Sequence, residues 1–274
     1  MDSFSFHLLP LYNRICSKQT VDYHFILQER KLLKILVLSD IHGNLEALQA
    51  VLKEAKDLDW KEIWFLGDLC GYGPQPDACF DLLMQHTITF IPGNHDLYIC
   101  GRMKGDHFSN ESRKALIISR SFISDKLVKL LKELPAYQIK KGIELVHASP
   151  EGPSKIYILN EMDALKNFRI SRKKCVLFGH THIQEYYRLE KSNVISCRGE
   201  TGQKISFKKS KILINPGSVG QPRDGDPRAA WGILDLKHKE FTFYRTPYEY
   251  EVTQEKMKKA GFSDFLIDRI AKGV

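Results

Sequence analysis

KILVLSDIHGN (34–44) is the stretch whose reading decides the fold. Its first five residues form an apolar run of strand length, and the run ends abruptly on Ser39, Asp40 and His42. The next segment, 44–57, places Leu45, Leu48, Val51, Leu52 and Ala55 on one helical face. Together they predict a strand–loop–helix unit of a layered α/β protein, with a carboxylate and an imidazole at the strand's carboxyl end.

The unit repeats outward from there. EIWFLGD (62–68) predicts a second strand, followed by a Gly/Pro-rich loop and by a helix over 76–86 with Pro76 at its first position. TITFIPGNHD (87–96) predicts a third strand with a polar tip. A helical region over 109–134 is expected to break near Ser124, which can cap a second helix ending before Pro135. Beyond it, short strands at 143–150, 174–182, 187–190, 194–197, 211–218, 231–236 and 240–248 predict a second, more antiparallel sheet. Helices over 252–260 and 263–272, each followed by Gly, complete the pattern. The fold class expected is α/β, a four-layer α-β-β-α sandwich of two mixed sheets flanked by helices. That domain spans 32–274, and residues 1–31, which carry no motif, read as an N-terminal extension without an assigned role.

Composition narrows the class. At 274 residues, with 43% hydrophobic and 27% charged side chains, the chain is neither a disulfide-stapled mini-protein nor a disordered one. No run approaches the ~18 apolar residues of a membrane span. Cysteines 16, 70, 79, 100, 175 and 197 are scattered without a CxxC, and residues 1–14 show no basic leader, so a reducing, cytoplasmic setting is expected. The net charge of +8 is unevenly spread: 101–141, 166–174 and 188–211 hold an excess of +6, +5 and +5. Such segments are ordinarily solvated faces, but an acidic partner is an alternative reading.

Four early strands end on metal-capable side chains: Asp40 with His42, then Asp68, then Asn94, His95 and Asp96, then His147; His180 and His182 follow later. Ligands of open α/β sheets bind beyond the carboxyl ends of strands, so these residues converge if the sheet forms. Oxygen and imidazole donors without thiolate suit Mn²⁺ first, with Fe or Zn²⁺ as alternatives. Asp68, between two donor groups, can bridge two ions about 3.5–4 Å apart, a spacing used to activate water and offset charge in phosphoryl transfer.

The ordered series SDIHGN (39–44), GDLCGYGPQP (67–76), GNHD (93–96), VHASP (146–150), GHTH (179–182) and NPGSVGQPRDGDPRAAW (215–231) resembles the calcineurin-like metallophosphoesterase superfamily, and within it the small phosphodiesterase and dinucleoside-tetraphosphatase-like branch. The resemblance implies a first divalent ion held by Asp40, His42 and His182, a second by Asn94, His147 and His180, and Asp68 between them. It implies that His95 contacts a phosphate oxygen or protonates the leaving group, oriented by Asp96. Tyr72 is a candidate substrate contact. Arg223 is a candidate phosphate clamp, because a guanidinium fits phosphate oxygens bidentately, with a pairing to Asp224 or Asp226 as its alternative. Cys70 reads as a passive thiol. The function expected is hydrolysis of phosphomonoesters, phosphodiesters or dinucleoside polyphosphates by a dinuclear metal-activated hydroxide, on a small phosphorylated metabolite or nucleotide. A nuclease of the same chemistry, acting on nucleic acid, is a less favoured alternative, as is a non-catalytic scaffold of the same fold. No membrane partner is expected.

Overall fold

A computed structural model describes residues 34–274, so the extension expected over 1–31 lies outside the described residues. The first sheet starts with β1 (Lys34–Leu38), β2 (Trp60–Phe65) and β3 (Ile88–Phe90), which run parallel. α1 (Leu45–Ala55) and α2 (Pro76–Leu83) cross between them. Asn44 caps α1 by accepting from the Ala47 N–H at 3.1 Å, and Pro76 opens α2 with its ring fixing φ.

β1 shows how the layers arise from a period of two. Leu36 and Leu38 face the helices and join the core that holds Ala47, Leu48, Val51 and Phe65. Ile35 and Val37 face the other way, into a core between the sheets with Trp64, Leu145, Leu177, Ile212 and Ile214. The second sheet covers that core with β4 (Tyr137–Lys140), β5 (Ile143–Val146), β6 (Cys175–Leu177), β7 (Gln184–Glu190), β8 (Asn193–Arg198) and β10 (Lys211–Pro216). Its order is β4-β5-β6-β10-β7-β8, and α6 (Glu161–Ile170) packs on its outer face through Ala164 and Phe168. The four-layer sandwich of two mixed sheets is therefore observed.

Three local expectations change. The strands expected at 231–236 and 240–248 form, as β11 (Ala229–Asp235) and β12 (Glu240–Thr246), but β11 pairs antiparallel with β1 and extends the first sheet. With β9 (Lys204–Ser206) that sheet has the order β3-β2-β1-β11-β12-β9. Six of the seven β11 residues are buried, which suits a position between β1 and β12. The third strand stops at Phe90, and Asn94 opens a short helix, α3 (Asn94–Ile99), where a polar strand tip was expected. β4 and β9 were not foreseen, because neither has a buried alternating face long enough to register.

α4 (Asn110–Arg120) and α5 (Asp125–Glu133) break at Ser124, as expected, and Ser124 caps α5. α7 (Tyr250–Ala260) and α8 (Asp264–Lys272) each end on a left-handed Gly, and together pack against Tyr72 and Ala115. No helix among the described residues is long and apolar enough to cross a membrane.

Candidate metal centre

The residues named from the motifs meet at the carboxyl ends of β1, β2, β5 and β6. Asp40, His42 and His182 present donor atoms that all lie within 4.8 Å of one another, and so do Asp68, His147 and His180. Asn94 joins the second group through Oδ1, 3.1 Å from His147 Nε2. All seven are at least 95% buried.

Backbone carbonyls fix how the rings face. Nδ1 of His42 donates to Cys70 O (2.7 Å), that of His147 to Leu66 O (2.8 Å), and that of His182 to Gln221 O (2.6 Å). A carbonyl only accepts, so each Nδ1 carries the hydrogen and each ring turns Nε2 inward, as a lone pair on His42 and His182, whose rings burial holds below the ordinary range. Two such lone pairs, on His42 and His182, lie 3.2 Å apart. Asp40 Oδ1, buried and without a hydrogen-bond donor, sits 3.3 Å from His182 Nε2 and 3.8 Å from His42 Nε2. His180 Nε2 is likewise buried without a partner. Lone pairs and carboxylate oxygens facing one another in a water-poor site repel unless cations lie between them, so the donor set fits divalent ions.

Asp68 stands between the two groups. Oδ1 accepts from the His95 N–H at 2.9 Å, while Oδ2 is 3.7 Å from His42 Nε2 and 3.3 Å from His147 Nε2. The excess of negative charge shows in the protons. Burial works against a charged His147, but Asp68 and Asp40 outweigh it and push that ring up to about 9. Burial disfavours charge on Asp40 as well, yet His182, His147 and His42 hold its carboxyl well below the usual range.

The chain bends sharply to deliver these groups. Asp40, His42, Asp68, His180 and His182 all have left-handed φ, between 50° and 68°, at roughly 1–2 kcal/mol each for a residue with a Cβ. Gly71 (φ 130°) lets the loop after Asp68 run beneath two rings: a Cβ there would lie 2.5 Å from His95 Nδ1.

Asp96 does not meet its expected role. Its carboxylate accepts from the N–H groups of Asp68 (2.8 Å), Leu69 (3.2 Å), Cys70 (3.0 Å) and Gly93 (3.1 Å), whereas His95 Nδ1 has no partner. It braces the loop that carries Asp68. Burial and Asp68 raise its carboxyl to about 6 against those four donors.

A cleft of about 440 Å³ opens over the centre and is lined by Asp68, Asn94, His95, His180, His182 and Arg223. Tyr72 also lines it, its hydroxyl 2.9 Å from Ser112 Oγ and its ring 4.8 Å from that of His95. Arg223 is free for a ligand because its two rival partners are taken: Asp224 pairs with Arg245, and Asp226 with Arg228. Its guanidinium lies over Tyr72, is braced by Gln221 Oε1 at 2.8 Å, and keeps Nε unpartnered. Cys70 is buried, and burial with Asp96 beside it pushes the thiol well above its ordinary range, as suits a passive side chain.

Several further cleft residues escaped the sequence reading, among them Tyr157, Lys155 and Arg269. Tyr157 stacks on His180 at 3.8 Å, while Lys155 and Arg269 add cations at the mouth. Lys155 and Tyr157 follow the VHASP motif within ten residues, the one signal that pointed their way. Arg269 lies on α8, and nothing local indicates that this helix reaches the cleft.

Comparisons with known proteins agree with the geometry. A family model described as the calcineurin-like phosphoesterase superfamily domain matches residues 33–239. The chain is 34% identical over 245 residues to an uncharacterised protein of Methanocaldococcus jannaschii, covering 87% of this chain and 98% of that one. It is 26% identical over 217 residues to the phosphodiesterase YfcE of Escherichia coli, covering 74% and 88% respectively. The crystal structure of a metallophosphoesterase from Sphaerobacter thermophilus matches with a TM-score of 0.80 at 36% identity, covering 89% of this chain and all of that one.

Proposed function

The chain belongs to the calcineurin-like phosphoesterase superfamily, whose members use divalent metals, and from that premise we propose that it hydrolyses phosphate esters of small metabolites or nucleotides at a two-cation centre. The observation that carries this reading is the pair of facing Nε2 lone pairs on His42 and His182, 3.2 Å apart beside the undonated Asp40 Oδ1. Asp40, His42 and His182 would hold one ion, Asn94, His147 and His180 the other, and Asp68 both. Ions bound there supply Lewis acidity toward phosphoryl oxygens and acidify water.

The chain's own groups do the rest. Arg223, with Nε free, binds a non-bridging phosphate oxygen and turns the ester toward the centre. Burial, with His42 and Arg223 beside it, holds the His95 ring well below its ordinary range. His95 is then neutral at pH 7 and donates an N–H to a phosphate oxygen as charge develops there. Tyr72 and Phe108 pack against His95 and fix its plane, with ring centroids 4.8 and 5.0 Å away. The YfcE likeness favours diesters among the substrates.

Chelator-stripped protein should lose turnover of bis-p-nitrophenyl phosphate and regain it on adding Mn²⁺. Turnover indifferent to chelation, or absent with Mn²⁺, Fe²⁺ and Zn²⁺ alike, contradicts the reading.

A further inference from the structure

A cleft larger than the one over the metal centre lies elsewhere in the sandwich. It measures about 790 Å³ and opens at the opposite ends of the strands, where β5 and β6 begin and β11 turns into β12. From Ile143 at its edge to His147 in the centre is one strand length, roughly 13 Å.

Its rim is made of cations. Lys141, Arg172, Lys173, Lys174, Lys208 and Lys239 line it, and no acidic side chain does. Five of them come from the three basic segments of the sequence, which the fold gathers from far apart, and Lys239 comes from the turn between β11 and β12. Lys141 is answered by Glu62 at 2.9 Å, and Arg172 lies over the Tyr137 ring. Lys173, Lys174, Lys208 and Lys239 have no ion pair among the described residues. Residues 1–33 carry four Lys/Arg against three acids, so they offer the rim no surplus of negative charge.

The floor is apolar. Ile143, Cys175 and Phe207 are buried there and Leu236 is half-buried, all from the core between the sheets. Unanswered like charges around an apolar floor are costly to hold together, and the arrangement matches a ligand that is polyanionic at one end and flat and apolar at the other. The volume suits one small molecule.

We propose that this cleft is a second binding site, for a nucleoside polyphosphate, with the phosphates on Lys173, Lys174, Lys208 and Lys239 and the base against Phe207. Among the described residues no carboxylate or histidine lines the cleft, so it binds without hydrolysis, and the assignment is independent of the hydrolytic reading of the metal centre.

Calorimetric titration of the full chain in excess chelator, with the β,γ-imido analogue of ATP as probe, tests it. One equivalent should bind, adenosine and tripolyphosphate should each bind at least tenfold more weakly, and affinity should fall as salt rises. The double variant Lys174→Glu/Lys208→Glu, at exposed positions, should lose at least tenfold in affinity, while Arg223→Ala retains it. With Mn²⁺ restored, the double variant should turn over bis-p-nitrophenyl phosphate as the parent does. Binding unchanged by the double variant, no binding at millimolar probe, tripolyphosphate equal to the analogue, or a single-stranded RNA 12-mer binding tenfold tighter than the analogue overturns the proposal.

Discussion

Arg223 and His95 reach the same cleft by different routes, and their losses should differ in kind. Arg223 keeps one unpartnered nitrogen for substrate while Gln221 braces the rest of the guanidinium. Truncating it removes a charge-assisted contact made in ground and transition states alike, so Arg223→Ala should raise KM about tenfold with little change in kcat. His95, buried and neutral, acts where charge develops, so His95→Ala should lower kcat by roughly 10²-fold with KM nearly unchanged. Metal content should stay at the parent level in both, which separates them from damage to the centre. At this scale the sequence was most legible, since oxygen and imidazole donors at strand ends name themselves by their chemistry. Asp96 was misread because adjacency to His95 suggested contact, whereas a helical turn points its carboxylate back at the 68–70 backbone. Arg269 was invisible, because its place in the cleft depends on tertiary packing alone.

β7 carries a test of how the second sheet holds its end of the site. Glu185 is 7% exposed, hydrogen-bonded by Tyr187 and Thr181, and burial raises its carboxyl to about 7 although Arg198 opposes this. A carboxyl raised in the folded state binds its proton more tightly there than in the unfolded chain. Its contribution is therefore full below the ordinary value of 4.5 and is lost as pH rises through about 7. Glu185→Gln, which stays uncharged, should match the parent in unfolding free energy at pH 4 and exceed it by ~3 kcal/mol at pH 8. Parallel urea-melt profiles for the two proteins would show that Glu185 does not titrate in this range. Most strands of both sheets were legible as apolar runs between turn residues. Their partners were not: the runs at 231–236 and 240–248 look like their neighbours in sequence, and only the pairing of β11 with β1 places them in the first sheet. The helix at Asn94 was hidden because GNHD completes a strand-like run before the chain turns.

Over the whole molecule, the sandwich separates two kinds of charge. At the carboxyl ends of the strands lie buried carboxylates and imidazoles, a place for cations; at the other ends, six lysines and arginines ring an apolar floor. The net charge of +8 thus combines a basic cleft remote from the centre with single cations, Lys155, Arg223 and Arg269, at the centre's mouth. Neither triad is complete without the other sheet: Asp40 and His42 come from the first and His182 from the second, while Asp68 from the first joins His147 and His180 from the second. Loading one group of donors therefore reports on the docking of the two sheets as well as on ligand chemistry. The most direct measurement is metal stoichiometry, by elemental mass spectrometry on chelator-stripped protein reconstituted with Mn²⁺ and desalted. Two ions per chain for the parent, and no more than one for His182→Ala with its fold retained by circular dichroism, is the result expected. Stoichiometry below one in the parent, or two ions still bound after His182→Ala and Asp68→Ala combined, would contradict a centre built from these two triads.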